Sequence, residues 1–167
     1  MKRLLVIHHA PTDGVRQLLD AALEGANDPA IDGVEVDPVP ALAWAQGSQD
    51  ETAILRADGY LFLSPANFGY MSGALKHVFD STFLKIGGSL QADGNAGDAG
   101  PGLRRPYGLI VHGRYDTTGA VRSVEGIVGA LGWQPGAETV EALGDVTAHH
   151  LASARELGAT LAALLME

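Results

Sequence analysis

The chain has 167 residues, of which 46% are hydrophobic and 19% are charged, so it has enough apolar surface for a folded core and is not disordered. Its net charge of -9 makes duplex nucleic acid and anionic membranes poor partners, because both are negatively charged. The sequence contains no cysteine, which excludes disulfides, thiolate nucleophiles and cysteine-ligated metals and fits a reducing compartment.

The first residues do not resemble an export or membrane signal. Lys2 and Arg3 precede only about four apolar residues, far fewer than a signal peptide or a membrane span requires. We therefore expect a soluble, cytoplasmic protein.

Five short segments have the patterns of β-strands. Three of them, residues 4–7, 60–63 and 108–111, are continuous apolar runs, which are typical of strands buried on both faces of a parallel sheet. The other two, residues 33–38 and 138–142, alternate apolar with polar residues, which predicts half-exposed strands.

Helical patterns fill the intervals between these strands. Apolar residues recur every three or four positions after each strand, and Gly25 is predicted to end the first helix. The predicted helices are residues 15–23, 50–56, 72–83, about 120–131 and 147–165.

Strands that alternate with helices predict an α/β fold, a three-layer, doubly wound, five-stranded parallel sheet with helices on both faces. We interpret residues 1–167 as a single domain of this kind. Placing the two half-exposed strands at the edges predicts the strand order 2-1-3-4-5, which is the flavodoxin-like order. A barrel of eight such units would need about 250 residues.

Residues 87–102 have neither a helical nor a strand pattern. They include six glycines and are predicted to form a flexible loop. A surface insertion is the preferred interpretation of this loop, and an active-site lid is the alternative.

The predicted topology places a ligand-binding crevice where the strand order reverses, outside the carboxyl ends of strands one and three. Three segments face it, and we name them loop one (8–15), loop two (65–71) and loop three (112–119). Loop one runs directly into a helix, whose first-turn N–H groups form an anion site near Thr12, Asp13, Gly14 and Val15. The sequence leaves open the alternative that Thr12 or Asp13 only caps the helix.

Loop two combines a glycine with two aromatic residues. Gly69 permits a positive φ or a close approach of the backbone, and Phe68 and Tyr70 supply flat surfaces. This combination suits a planar heterocycle. The alternative is that the two rings fill gaps or join a subunit interface.

The segment SPANFGYMSGALKHVFD, residues 64–80, resembles the strand-loop-helix segment of flavodoxin-like FMN proteins and NAD(P)H-dependent FMN reductases. The resemblance is close over these residues and extends, in the order of strands and helices, along most of the chain. It implies a bound FMN, NAD(P)H as a co-substrate, and assembly as a homodimer or homotetramer.

The resemblance also implies which residues contact FMN. Loop two lines the flavin ring, loop three forms the other wall, and loop one holds the phosphate, although HHAPTDGV is poorer in hydroxyl residues and glycine than the family's phosphate loops. The cofactor-binding residues implied in this way are His9, Thr12, Asp13, Gly14, Val15, Pro65, Ala66, Asn67, Phe68, Gly69, Tyr70, Met71, His112, Gly113, Arg114, Tyr115, Thr118 and Gly119.

Loop three contains the candidate catalytic residues. Tyr115 and His112 are the side chains best placed to touch a substrate, and His112 or Arg114 would stabilise an anionic reduced flavin. The alternatives are that Arg114 is a solvated surface residue and that Thr117 or Thr118 caps the next helix.

We interpret the sequence as that of an FMN-dependent oxidoreductase that passes reducing equivalents from NAD(P)H to a small acceptor such as a quinone or a flavin. The alternatives are an electron carrier without substrate turnover and a flavin-free interaction module of the same fold. Nucleophile-elbow, P-loop and dinucleotide-fingerprint motifs are absent from the sequence. No metal site is predicted, because His8 and His9 are adjacent on a strand and point to opposite faces.

Overall fold

The structure is a computed structural model that describes residues 1–87 and 104–166. The loop predicted at 87–102 lies outside these ranges except for Gly87, whose N–H donates to the Phe83 carbonyl at the end of a helix. The strands are β1 (Lys2–His8), β2 (Val34–Pro40), β3 (Gly59–Asn67), β4 (Tyr70–Met71), β5 (Pro106–Gly113), β6 (Gln134–Pro135) and β7 (Val140–Leu143). The helices are α1 (Asp13–Ala26), α2 (Leu42–Ala45), α3 (Glu51–Arg56), α4 (Gly73–Ile86), α5 (Thr118–Ala130) and α6 (Ala148–Met166).

A parallel sheet runs through the centre of the protein. Its strand order is β2-β1-β3-β5, and β6 and β7 both pair in parallel with β5 at the far edge. With β6 and β7 taken as the fifth strand, the predicted order 2-1-3-4-5 is confirmed. The carboxyl ends of β1, β3 and β5 therefore lie side by side, and loops one, two and three share one edge of the sheet.

The fifth strand is split in two, whereas the sequence predicts one strand at 138–142. β6 lies ahead of the predicted segment and pairs with Pro106 and Tyr107 of β5. Pro135 is the last residue of β6, and the N–H of Gly136 still donates to the Tyr107 carbonyl of β5 at 2.8 Å. The chain pairs with β5 again at Val140, where β7 begins.

Alternate strand residues face opposite layers of helices, which divides the core in two. Leu61 and Leu63 of β3 face α1 and α6, whereas Tyr60 and Phe62 face α4 and α5. Trp133 stacks on Tyr60 with ring centroids 4.0 Å apart. Each fully buried large side chain contributes about 1.5–3 kcal/mol of hydrophobic stabilisation. The loops at the carboxyl edge are thus anchored on tightly packed strands.

The prediction that Gly25 ends the first helix is wrong, because α1 continues to Ala26 and is capped at Asn27. Gly25 serves helix packing instead, since a Cβ atom there would lie 1.9 Å from the carbonyl oxygen of Arg155 in α6. A Cβ atom on Gly158 of α6 would lie 2.0 Å from the carbonyl oxygen of Ala22 in the same way. The two helices therefore cross in backbone contact.

Within residues 1–87 and 104–166, no helix combines the length and the apolar character that crossing a membrane requires.

Candidate functional site

Loop two forms a tight β-hairpin. β3 ends at Asn67 and β4 begins at Tyr70, and these two residues pair in antiparallel register. Phe68 and Gly69 make the two-residue turn, with positive φ values of 51° and 75°. Two consecutive positive φ values are typical of a type I′ turn, whose twist matches that of the strands. Glycine adopts such a φ freely, whereas Phe68 adopts it at a cost in backbone strain.

The tip of this hairpin projects into solvent. Phe68 is 109% exposed on the relative scale and Tyr70 is 44% exposed. Neither ring folds back to seal the crevice. A fully exposed ring on a strained turn, at the edge of the sheet where ligands bind in this topology, is a candidate ligand contact.

Two buried serines hold the base of the hairpin. The N–H of Ser72 donates to the Ser64 hydroxyl at 3.0 Å, and that hydroxyl donates to the Pro65 carbonyl at 2.8 Å. The Ser72 hydroxyl accepts from the N–H of Leu75 at 3.2 Å and caps α4. Because these polar groups are satisfied inside the protein, the hairpin leaves β3 at a defined angle.

Loop three packs directly against loop two. A Cβ atom on Gly119, in the first turn of α5, would lie 2.1 Å from the carbonyl oxygen of Gly69. A Cβ atom on Gly113 would lie 3.2 Å from the Cβ of Ala66. The two loops therefore form one continuous wall, and glycine is required at 119 for the backbones to meet.

An aspartate in loop three caps the helix that follows. Asp116 Oδ1 accepts a hydrogen bond from the N–H of Thr118 at 2.9 Å, and this bond lowers the pKa of the Asp116 carboxyl. The alternative that Thr117 or Thr118 caps α5 is wrong, because Thr117 makes no side-chain cap bond and its hydroxyl donates to Glu141 instead. The other Asp116 oxygen, Oδ2, would lie 3.5 Å from a Cβ atom on Gly69, so it faces the hairpin turn.

His112 lies underneath the start of α1. Its Nε2 is 2.8 Å from the carbonyl oxygen of Gly144, and a Cβ atom on Gly14 would lie 3.4 Å from its Cε1. The ring therefore connects loop one to the segment between β7 and α6. Since Nε2 is paired with a protein carbonyl, His112 has Nδ1 left for any other hydrogen bond.

Arg114 and Tyr115 lie at the outer end of loop three. Arg114 forms an ion pair with Asp145, and this hydrogen-bonded contact raises the pKa of the guanidinium. Both partners are largely exposed, which agrees with the alternative that Arg114 is a solvated surface residue. Tyr115 is 89% exposed, so loop three, like loop two, presents an aromatic ring to solvent.

Loop one combines a helix cap with an ion pair. Thr12 Oγ1 accepts from the N–H of Val15 at 3.5 Å, so the cap interpretation of Thr12 is confirmed. Asp13 pairs with Arg16 one turn later, and Arg16 also donates to the Ala10 carbonyl at 3.3 Å. The N–H groups at the start of an α-helix have no partner within the helix. The first turn of α1 therefore retains hydrogen-bond donors, and Arg16 balances the charge of Asp13.

Two histidines at the end of β1 are partly buried. The N–H of His9 donates to the Leu63 carbonyl at 2.9 Å, which fastens loop one to β3. Burial lowers the pKa of both His8 and His9, and for His8 the charge of His9 lowers it further. Both Nδ1 atoms are buried without a hydrogen-bond partner among the described residues. Both rings are therefore neutral near pH 7. Each has one unpaired nitrogen, Nδ1, and neither contributes a positive charge to the site.

Most of the predicted site residues lie at this edge of the sheet, and three of their side chains are buried: Val15, Pro65 and Met71. Val15 and Met71 are buried in opposite halves of the core, so only their backbone atoms are available to a ligand.

Among the described residues, no group of three or more His, Cys, Asp or Glu is placed to hold a metal ion.

Three charged residues of this edge were not among the residues predicted from the sequence to form the site: Arg16, Asp116 and Asp145. Asp145 follows β7, whose carboxyl end lies beside that of β5, and Gly144 donates its N–H to the Gly113 carbonyl at 2.8 Å. The signal was present in the sequence, because Gly144 and Asp145 lie just beyond the end of the fifth predicted strand, after Leu143.

Solved structures with the same architecture cover almost the whole chain. A WrbA-like flavodoxin from Agrobacterium tumefaciens matches with a TM-score of 0.71 and 18% identity over 99% of this chain and 98% of its own. A flavodoxin from the domain Archaea matches with a TM-score of 0.74 and 10% identity, covering 99% of both chains. The chain has the flavodoxin-like fold. This confirms the fold class and, at the level of the fold, the resemblance read from residues 64–80.

Two further comparisons concern flavin and nicotinamide enzymes. An FMN-dependent NADH-azoreductase from Bacillus anthracis, solved with FMN, shares the flavodoxin-like fold with a TM-score of 0.72 and 13% identity over 99% of this chain and 100% of its own. A curated relative from Acidithiobacillus ferrooxidans, named NAD(P)H dehydrogenase (quinone), is 29% identical over 97 residues. That match covers 49% of this chain and 48% of the relative, so the matched region spans about half the length of each protein. No protein-family model matches the chain.

Proposed function

We propose that the protein is an FMN-dependent oxidoreductase that transfers reducing equivalents from NAD(P)H to a small acceptor such as a quinone or a flavin. The observation that carries this proposal is the pair of exposed aromatic residues, Phe68 and Tyr115, on two loops that touch at the ligand edge of a flavodoxin-like sheet. The quinone-reducing relative and the FMN-containing azoreductase support the same class of reaction.

Loops two and three fit a flat ring system. The turn at Phe68 and Gly69 leaves space beside the backbone, since a Cβ atom on Gly69 would have only Asp116 Oδ2 within 4 Å among the described residues. Phe68, Tyr70 and Tyr115 provide exposed aromatic surfaces on the two loops that meet there. We expect the flavin ring to lie against the hairpin backbone there.

Loop one fits a phosphate better than the sequence alone indicates. Asp13 carries a negative charge next to the proposed phosphate position, but its ion pair with Arg16 compensates that charge. The first-turn N–H groups of α1 and the partial positive charge of this 14-residue helix would bind the anion. The unpaired Nδ1 of His9 would accept a hydrogen bond from a ribityl hydroxyl or donate one to it, according to the tautomer of the ring.

Bound FMN would supply the hydride-accepting and hydride-donating centre of the reaction. The protein side chains would hold the flavin flat, keep one face open to solvent and orient the second substrate. Tyr115 and His112 remain the residues that we propose to contact substrate or cofactor, Tyr115 from the open side and His112 through Nδ1 from beneath α1.

An electron carrier without turnover is the second candidate, because the net charge of -9 would provide an acidic docking face for a redox partner. The two candidates differ in what they do with NAD(P)H. A carrier takes up electrons from a protein partner and does not oxidise NADH or NADPH in steady state with a quinone.

The test is a titration of the purified protein with FMN, followed by kinetics. We expect a yellow complex with a flavin spectrum that differs from free FMN, and quinone-dependent oxidation of NADH or NADPH. A yellow protein without turnover would favour the carrier. Protein that FMN titration leaves colourless would refute both and support a flavin-free interaction module.

A further inference from the structure

The charges around loops two and three are unevenly balanced. Three cations lie on or next to the candidate site, and each has a carboxylate partner: Arg16 with Asp13, Lys76 with Asp80, and Arg114 with Asp145. Asp116 has no cationic partner among the described residues, and its Oδ1 accepts a hydrogen bond from the N–H of Thr118 at 2.9 Å. The three ion pairs carry no net charge, so Asp116 adds a negative charge to loop three that none of them compensates.

Asp116 adjoins both loops that carry the exposed aromatic residues. It follows the exposed Tyr115, and its Oδ2 faces the turn that carries the exposed Phe68. The Thr118 N–H lowers the pKa of this carboxyl, so Asp116 is ionised at neutral pH. Asp116 therefore places a negative charge next to Tyr115 in the chain and against the turn that carries Phe68.

We infer that Asp116 determines the charge preference of the site: the acceptor is a planar aromatic molecule without a negative charge, and Asp116 disfavours anionic analogues. This inference rests on the proposed oxidoreductase function and adds the class of acceptor to it. A single exposed charge at this range changes the relative affinity for a monovalent anion by roughly threefold to tenfold, and added salt reduces the effect.

The kinetic experiment compares two quinones that differ by one charge, 1,4-naphthoquinone and its 2-sulfonate. In each turnover NADH gives up two electrons and one proton, the quinone takes up these and one proton from water, and hydroquinone and NAD⁺ are released. The quinones also differ in reduction potential, but that difference is the same for every variant. The quantity to compare is therefore the ratio of their kcat/KM values in a variant relative to wild type.

We expect Asp116→Asn to lower the preference for the neutral quinone by about threefold to tenfold. The asparagine retains an oxygen that accepts from Thr118, so the helix cap is preserved. Asp116→Ser, which also keeps a cap oxygen, is a second variant with the same expected result. Asp20→Asn is the control, because it removes the same charge from an exposed position in the middle of α1. We expect it to leave the ratio unchanged.

A binding measurement without turnover tests the same claim. Calorimetry with oxidised, FMN-loaded protein compares 2-naphthoate with the neutral 2-naphthamide. Wild type should bind the amide more tightly than the acid, and Asp116→Asn should narrow that difference by the same factor. The inference is overturned if Asp116→Asn and Asp20→Asn give equal ratios in both experiments while FMN binding and turnover persist. Failure to bind FMN, or to reduce either quinone, would instead overturn the proposed function and the inference with it.

Discussion

The carbonyl oxygen of Gly69 lies so close to Gly119 that a Cβ atom at position 119 would be only 2.1 Å away from it. Gly69 is in the turn of the hairpin, and Gly119 is in the first turn of α5. Real Cβ atoms do not approach oxygen at this distance, so the contact exists because residue 119 has no side chain. It fixes the distance between the two aromatic loops.

Gly119→Ala should therefore displace the hairpin. We expect a loss of about 1–3 kcal/mol in the free energy of unfolding, because the overpacked contact must open. We also expect weaker FMN binding, because loop two and loop three would move away from each other. Urea denaturation and FMN titration measure the two effects.

Gly126→Ala is the matched control for this substitution. Gly126 lies on the exposed side of the same helix, and a Cβ atom there would meet nothing within 4 Å in the described residues. This variant should be more stable than wild type by about 0.5–1 kcal/mol, because alanine is the better helix former. If both alanine variants bind FMN as wild type does, the contact between Gly69 and Gly119 does not position the site.

A second prediction separates backbone strain from ligand binding at the hairpin turn. Gly69 and Gly33 both have a φ of 75°, and a Cβ atom would have space at either position. Alanine at each should cost about 1–2 kcal/mol of stability, the usual penalty for a left-handed conformation. Only Gly69→Ala should reduce FMN affinity, because the flavin ring is proposed to lie against that backbone. Equal FMN dissociation constants for the two variants would contradict this placement of the ring.

The strand order was predictable because strands that are buried on both faces have continuous apolar sequences. The runs at 60–63 and 108–111 are apolar on both faces, and β3 and β5 are indeed the central strands. Predictions from local sequence patterns were wrong where a residue is required for a contact between distant parts of the chain. Gly25 has the position of a helix stop, yet the close crossing of α6 requires it.

The sequence predicted which loops form the site, but it did not predict which charged side chains pair with one another there. Topology alone places loops one, two and three at one edge, and they are there. Sequence cannot show that Arg16 pairs with Asp13 or that His112 is hydrogen-bonded to Gly144, because these contacts depend on side-chain directions in folded loops. For the same reason Asp116 could not be distinguished from other surface aspartates.

The stability of the protein should fall as the pH decreases below the ordinary range of histidine. The folded state lowers the pKa of His8 and His9 by burial, whereas the unfolded chain has an ordinary pKa of about 6.5. Below that pH the unfolded state binds more protons than the folded state, so the free energy of unfolding decreases as the pH falls toward the lowered values. Urea denaturation at pH 7.5 and pH 5.5 measures this decrease.

Replacing both His8 and His9 with Gln should reduce that pH dependence, whereas His77→Gln should not, because His77 is exposed on α4. The variant with both substitutions is compared with wild type through the difference in unfolding free energy between the two pH values. An unchanged difference would mean that His8 and His9 do not cause the acid sensitivity.

The role of Arg16 in phosphate binding can be tested by comparing two flavins. Arg16 is 52% exposed and pairs with Asp13 at the start of α1, whereas Arg155 is 54% exposed and pairs with Glu24 on the contact between α1 and α6. Arg16→Gln removes a positive charge from loop one and leaves Asp13 uncompensated, so FMN should bind roughly tenfold more weakly. Riboflavin, which lacks the phosphate, should bind with unchanged affinity. Arg155→Gln is the control and should affect neither flavin. If Arg16→Gln weakened both flavins equally, Arg16 would support the fold of loop one and would not bind the phosphate.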